Sequence, residues 1–113
     1  MPHTARLLVR DVITVTGTET ISEAARVMRD NRIGAVIVAD GERPVGIFTE
    51  RDLLNKVVAD GVDPAKTPVS RFMTKNPVTV DASEPIDKVF ATLAQGLFRH
   101  LPITDQGKLV GII

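Results

Sequence analysis

The stretch Val45–Asp52 reads Val-Gly-Ile-Phe-Thr-Glu-Arg-Asp, a short apolar strand that leads directly into the start of a helix. Unpaired backbone N–H groups at the start of a helix favour an anion. Thr49 is therefore a candidate donor to a phosphate oxygen, and Asp52 is a candidate acceptor for the two hydroxyls of a ribose. The same Thr49-x-x-Asp52 spacing is typical of a capping box, which closes the first turn of a helix. Because a threonine hydroxyl can accept a backbone N–H and still donate to a ligand, both interpretations stay open.

The composition indicates a globular chain with an aliphatic core. Of 113 residues 43% are hydrophobic, but the aromatic residues are four Phe, with no Tyr or Trp. Fourteen basic residues balance fourteen acidic ones, which argues against a general nucleic-acid or anionic-membrane surface. The absence of cysteine excludes disulfides, thiolate nucleophiles and thiolate metal sites.

Nothing in the sequence indicates membrane insertion or secretion. No apolar run approaches the roughly 20 residues that cross a bilayer. The first ten residues contain two Arg and only a short apolar run, which is unlike a secretory signal. We therefore predict a cytoplasmic protein.

The chain repeats itself in one ungapped register. Thr14-Val15 recurs as Thr79-Val80, and Val45-Gly46-Ile47 recurs as Val110-Gly111-Ile112. Apolar positions between these anchors also match, for example Met28 with Leu93. This pattern predicts one structural unit that is used twice.

Each unit is predicted to begin strand, helix, strand, strand. In the first unit, a capping box at Thr20-x-x-Glu23 opens one helix, Gly34 is expected to end it, and a second helix runs from about Glu50 to Ala59. The predicted strands of the two units are Val12–Val15, Ala35–Val38, Val45–Phe48, Val78–Val80, Leu101–Ile103 and Leu109–Ile113.

The second unit stops early in this sequence. Its counterparts of Thr49 and Asp52 would lie beyond Ile113, and so would its closing helix. We expect that a short C-terminal tail has been lost. We divide the chain into a first repeat with its leading segment and linker at 1–68 and an incomplete second repeat at 69–113.

Three motifs, in order, resemble those of a tandem cystathionine β-synthase (CBS) domain pair, or Bateman module. They are Gly46–Asp52, Phe72–Val80 (Phe-Met-Thr-Lys-Asn-Pro-Val-Thr-Val) and Phe98–Ile103 (Phe-Arg-His-Leu-Pro-Ile). The resemblance extends from about Leu8 to Ile113. It implies an α/β (α+β) fold of two β-α-β-β-α repeats that pack through their sheets with pseudo-two-fold symmetry.

The resemblance also implies a regulatory module rather than an enzyme. Such pairs bind AMP, ADP, ATP or S-adenosylmethionine in the cleft between repeats, need no other cofactor, often form homodimers, and pass a conformational change to a partner enzyme or transporter. By matching positions, Thr49 would contact phosphate and Asp52 the ribose hydroxyls. The positions that match the adenine pocket are Thr14, Val15, Ile33, Gly34 and Ala35, and those that match phosphate-reaching basic residues are Arg99 and His100.

Other functions find less support in the sequence. With two histidines and no cysteine, we expect neither a metal site nor a hydroxyl–histidine–carboxylate catalytic set, and a P-loop or dinucleotide fingerprint is absent. Two alternatives stay open. The chain could be a structural dimerisation module that binds no ligand, or it could be a sensor fragment of a larger enzyme or transporter.

Overall fold

The computed structural model describes residues 4–5, 12–96 and 100–113, which gather into two compact units. One unit is Ile13–Asn76, and the other joins the described residues of Met1–Val12 to Pro77–Ile113. These units are defined by packing, whereas the division at residue 68 follows the sequence repeat, so that division stays a prediction.

The first unit has the order strand, helix, strand, strand, helix that the sequence predicts. Its elements are β1 (Thr14–Val15), α1 (Ile21–Asn31), β2 (Ala35–Asp40), β3 (Arg43–Thr49) and α2 (Glu50–Asp52), followed by a π-helix (Leu53–Val58) and a fourth strand, β4 (Thr74–Lys75). The sheet order is β1-β2-β3-β4, with β1 parallel to β2 and the other pairs antiparallel. A two-residue turn with Gly41 at φ 62° connects β2 to β3.

Helix α1 begins where its capping residue predicts but ends earlier than expected. The Thr20 hydroxyl accepts a hydrogen bond from the Glu23 backbone N–H at 3.1 Å. The helix ends at Asn31, and Arg32 caps it in the left-handed conformation with φ 54°. The expectation that Gly34 ends the helix is therefore wrong. The N–H of Arg32 reaches the carbonyl oxygens of Met28 and Arg29, which completes the C-terminal turn two residues before the glycine.

The central strand β2 is buried along almost its whole length. Residues 35–39 are all buried, as expected for a strand that has neighbours on both sides and is covered on both faces. Val36 and Val38 pack with Phe48 of β3 in the core of this unit. The side chains that complete this core are Val15, Ile21, Ala24, Met28, Val57 and Val69.

The segment after the π-helix returns to the first sheet. A 3₁₀ turn, Val69–Arg71, buries Val69 in the core, and β4 then pairs with β3. Strand β4 is absent from the strands that the sequence predicts. A Cβ atom at Gly46 of β3 would collide with the side chain of Met73, so a larger residue there would require Met73 to move.

The second unit repeats the strand, helix, strand, strand order. Its elements are β5 (Val80–Asp81), α3 (Ile86–Gly96), β6 (Pro102–Asp105) and β7 (Lys108–Ile112), with β6 between parallel β5 and antiparallel β7. Its core is formed by Val80, Ala82, Val89, Leu101 and Ile103, joined by Ala5 from the N-terminal segment. The backbone N–H of Ala5 donates to the Glu84 carbonyl at 2.8 Å. The predicted mixed α+β fold is thus confirmed, while the packing of the two sheets about a pseudo-two-fold axis stays a prediction.

Candidate functional site

Thr49 and Asp52 meet at the junction of β3 and α2. The Thr49 hydroxyl accepts a hydrogen bond from the Asp52 backbone N–H at 3.1 Å, and Asp52 Oδ2 accepts one from the Thr49 N–H at 3.0 Å. The predicted capping box is therefore confirmed. Its two reciprocal bonds fix the hydroxyl and the carboxylate side by side.

The capping role leaves both side chains able to bind a ligand. The Asp52 side chain is 12% exposed, so it is held within the fold but is still reachable. Each carboxylate oxygen has two acceptor positions, and Thr49 N–H uses one of those on Oδ2. The Thr49 hydroxyl, which accepts in the cap, retains its own proton for donation.

Lys56 is a functional candidate that is not among the residues predicted from the sequence. Its Nζ lies 3.1 Å from Asp52 Oδ1 and also donates to the backbone carbonyl of Phe72 at 3.5 Å. Asp52 and Lys56 are four residues apart, an acid before a base, and this spacing pairs side chains on a helix. That spacing was the available signal in the sequence.

The antiparallel pairing of β2 and β3 brings Gly34 and Ala35 next to the junction where Thr49 and Asp52 meet. Ala35 is the register partner of Thr49, and the Glu50 N–H donates to the Gly34 carbonyl at 3.0 Å. A Cβ atom at Gly34 would lie 2.6 Å from Oε1 of Glu50. The turn before β2 and the start of α2 are therefore adjacent, as a shared site would require.

The remaining predicted residues of this unit lie further from the cap. Thr14 and Val15 are on β1 and pair with Ile37 and Val38, so they lie beyond Ala35 along β2. Thr14 is exposed, whereas Val15 directs its side chain into the core. Ile33 is half-buried and packs against the same core.

The two predicted basic residues belong to the second part of the chain. Arg99 lies outside the described residues. His100 is half-buried just before β6 and has an interaction of its own. A contribution of either side chain to the Thr49–Asp52 site therefore stays a prediction.

An open pocket of about 350 Å³ lies beside this site, between α1 and α2. Ile33 and Gly34 line it, together with Glu50 and the guanidinium-bearing Arg29 and Arg32. Of these charged groups, Arg29 is paired with Asp30 at 2.9 Å. Thr49 and Asp52 are not in the lining, so the pocket and the hydroxyl–carboxylate pair are neighbouring but separate features.

Residues 4–5, 12–96 and 100–113 also bear on membrane insertion and on metal binding. No helix within these ranges is long and apolar enough to cross a membrane. The same ranges contain no cluster of three or more histidine, aspartate or glutamate side chains that could hold a metal ion.

Comparison with protein families gives one matching model, described as the CBS domain. It matches the chain twice, over residues 5–59 and 69–113. Among curated proteins, a CBS domain-containing protein of Arabidopsis thaliana is 34% identical over 109 residues. That alignment covers 96% of this chain but 20% of the Arabidopsis protein, so the chain spans about a fifth of that relative's length.

Solved structures of similar fold include one ligand complex and one assembly. A CBS domain protein from Pyrobaculum aerophilum, complexed with AMP, has a TM-score of 0.86 and 29% identity, and the match covers 98% of this chain and 86% of that one. A hexameric CBS-CP12 protein from bloom-forming cyanobacteria has a TM-score of 0.85 and 31% identity, with coverage of 100% and 68%.

Proposed function

Because this chain belongs to the CBS domain family and carries the domain twice, we propose that it is a regulatory module that binds an adenosine nucleotide at Thr49 and Asp52. The observation that carries this proposal is the Asp52 carboxylate, which is largely buried yet has acceptor capacity to spare. Two adjacent ribose hydroxyls are the ligand group that such a carboxylate matches, since each hydroxyl can donate to one oxygen. The AMP complex of the Pyrobaculum relative supports the choice of an adenosine ligand.

The other predicted residues have definite roles in this proposal. The Thr49 hydroxyl donates to a phosphate oxygen, while Gly34 and Ala35, together with Thr14, Val15 and Ile33, surround the base. For Arg99 and His100, the role that the family resemblance implies, positive charge near the phosphates, stays a prediction. The ligand is AMP, ADP, ATP or S-adenosylmethionine, and no further cofactor is needed.

A thermal-unfolding panel with these four ligands tests the proposal. A ligand at 100 times its dissociation constant stabilises the folded chain by about 2.7 kcal/mol, which raises the midpoint by about 10 °C for a chain of this size. Asp52→Ala is expected to abolish this increase because it removes both acceptors of the ribose hydroxyls.

The matched control is Thr20→Ala, which removes the cap of α1 instead of the cap of α2. Both variants lose a helix-capping bond, at a cost of about 1 kcal/mol. Only Asp52→Ala should lose the response to the ligand. If Thr20→Ala loses it equally, or if none of the four ligands shifts the wild-type midpoint, the proposed function is wrong.

Regulation in this proposal operates through a shift in conformational population. A nucleotide stabilises the conformation that binds it best, and a partner enzyme or transporter recognises that conformation. Thermodynamic linkage then requires the partner to change nucleotide affinity by the same factor. Equal affinity with and without the partner would contradict this part of the proposal.

A second function, homodimer formation, is favoured by an exposed apolar pair on the π-helix. Leu54 is 62% exposed and Val58 is 64% exposed, and their spacing of four residues places them on one side of the helical segment. Exposed Glu50 and Arg51 lie near them and have opposite charges. Across a two-fold axis, Glu50 of one copy and Arg51 of the other have the opposite charges that a self-complementary interface requires.

Sedimentation velocity distinguishes this assembly function from ligand binding. The double variant Leu54→Lys/Val58→Lys should sediment as a 12.2 kDa monomer, while wild type sediments as a dimer. If wild type is a dimer that none of the four ligands stabilises, the scaffold function replaces the sensor function. If wild type is monomeric throughout, the proposed dimer is wrong.

A further inference from the structure

The ammonium group of Lys56 is held against the carboxylate that we assign to ribose binding. Its Nζ is 3.1 Å from Asp52 Oδ1. It also donates a hydrogen bond at 3.5 Å to the backbone carbonyl of Phe72, which lies 16 residues further along the chain. The Lys56 side chain is 44% exposed, so its charge is reachable from solvent. This arrangement makes Lys56 part of the electrostatic environment of any ligand that Asp52 holds.

We propose that Lys56 makes the Thr49–Asp52 site selective for phosphate-bearing adenosine ligands over neutral adenosine and cationic S-adenosylmethionine. This inference rests on the proposed function, because it requires that Asp52 holds the ribose. It assigns a ligand class to the site and a specificity role to a residue outside the Thr49–Asp52 motif.

The charges of Asp52 and Lys56 balance each other. Asp52 alone would present a negative charge to the ligand, and that charge would repel the phosphates of a nucleotide held nearby. Lys56 cancels it at 3.1 Å, so an anionic ligand can approach the carboxylate. Glu50 and Arg51, the exposed charged residues of α2 beside this pair, have opposite signs, so they leave this local balance unchanged.

Lys56 can do this without preventing ribose binding. Lys56 forms an ion pair with Oδ1, and the Thr49 N–H uses one acceptor position on Oδ2. At least one acceptor position remains on each oxygen, which matches the two hydroxyls of a ribose. The cation therefore changes the charge of the site and leaves its hydrogen-bonding capacity for the diol in place.

A purely structural role for Lys56 makes a different prediction. If Lys56 only tied the π-helix to Phe72, its loss would weaken all adenosine ligands equally, since all would need the same positioned Asp52. A selectivity role weakens AMP specifically. The ratio of AMP affinity to adenosine affinity therefore separates the two roles.

The experiment is isothermal titration of AMP, adenosine and S-adenosylmethionine into wild type, Lys56→Met, Lys56→Arg and Lys66→Met. Lys66→Met removes an equal charge from the exposed connecting segment and serves as the control. We expect Lys56→Met to weaken AMP by about tenfold while adenosine changes less than twofold. S-adenosylmethionine should bind as well as before or better. Lys56→Arg and Lys66→Met should retain the wild-type ratio.

Equal weakening of AMP and adenosine by Lys56→Met, or unchanged AMP affinity, overturns the selectivity role and leaves the proposed function standing. Failure of AMP, adenosine and S-adenosylmethionine to bind wild type overturns the selectivity role, and the proposed function is overturned as well if ADP and ATP also leave the unfolding midpoint unchanged. Salt provides a second readout that needs no variant. Wild-type affinity for AMP should decrease as NaCl is raised while adenosine affinity stays constant, and an equal response of the two ligands contradicts the proposal.

Discussion

At the scale of single residues, Thr49 and Asp52 serve structure and, in our proposal, ligand binding with the same atoms. The capping bonds at 3.0 and 3.1 Å fix both side chains before any ligand arrives. A preorganised site avoids paying for side-chain ordering when the ligand binds. Capping and binding are therefore complementary roles for this pair, and their contributions can be separated by substitution.

Substitutions at Thr49 should separate the contribution of its hydroxyl to helix capping from its contribution to ligand binding. Thr49→Val keeps the shape of the side chain but removes the hydroxyl, so we expect it to lower the free energy of unfolding by about 1 kcal/mol and to weaken AMP binding. Thr49→Ser keeps the hydroxyl and should preserve both. Urea denaturation measures the free energy of unfolding of each variant, and titration of the same preparations measures its affinity for AMP. Full AMP affinity in Thr49→Val would show that the hydroxyl only caps the helix.

The sequence predicted the local chemistry of this junction but not all of its charges. The Thr-x-x-Asp spacing was sufficient to predict the capping box because both partners lie within one turn. Lys56 was missed because many bases stand four residues after an acid, and the spacing does not tell which of these pairs form. The bond from Lys56 to Phe72 joins residues 16 positions apart, so only the fold reveals it.

At the scale of elements, the segment after Asp52 was predicted as a helix but has a π-helical hydrogen-bond pattern. The Ala59 N–H donates to the Leu54 carbonyl at 3.1 Å, five residues earlier. Apolar side chains at 53, 54, 57 and 58 are compatible with more than one such pattern, so the sequence could not decide which of them would be buried. In the structure, Val57 is buried in the core and Val58 is exposed.

Adjacent valines in this segment provide a matched test. Val57→Ala should lower the free energy of unfolding by about 2 kcal/mol because it removes buried methyl groups and leaves a cavity. Val58→Ala makes the same chemical change at an exposed position and should alter it by less than about 0.5 kcal/mol. Urea denaturation at low protein concentration compares them. A larger loss for Val58→Ala would contradict the packing described for this element.

At the scale of the whole molecule, the sequence repeat predicts two units with the same order of strands and helix. It does not predict which flanking residues pack in the core of each unit. Ala5 is completely buried in the core of the second unit, although it precedes the first unit in sequence. Val69 conversely packs in the first core, although it follows that repeat. Sequence self-similarity identifies equivalent elements, but it carries no information on which core a segment outside them will join.

The burial of Ala5 in the core of the second unit can be tested by substituting a charged side chain. Ala5→Lys should lower the free energy of unfolding by about 3 kcal/mol or more, because it overfills a closed site and buries an unpaired ammonium group. Ala94→Lys makes the same substitution at an exposed position of α3 and should be nearly neutral. Equal effects of the two in urea denaturation would place Ala5 outside the core.

The central claim, that an adenosine nucleotide binds at Thr49 and Asp52, is tested most directly by following backbone amide resonances while AMP is titrated into the ¹⁵N-labelled protein. We predict saturable shifts of the amides of Gly34, Ala35, Thr49 and Asp52, with the same resonances unmoved in Asp52→Ala. Shifts that centre instead on Arg29 and Arg32 would assign binding to the neighbouring pocket, and resonances left unchanged by AMP, ADP, ATP and S-adenosylmethionine in turn would show that none of the proposed ligands binds. Either result would contradict the account.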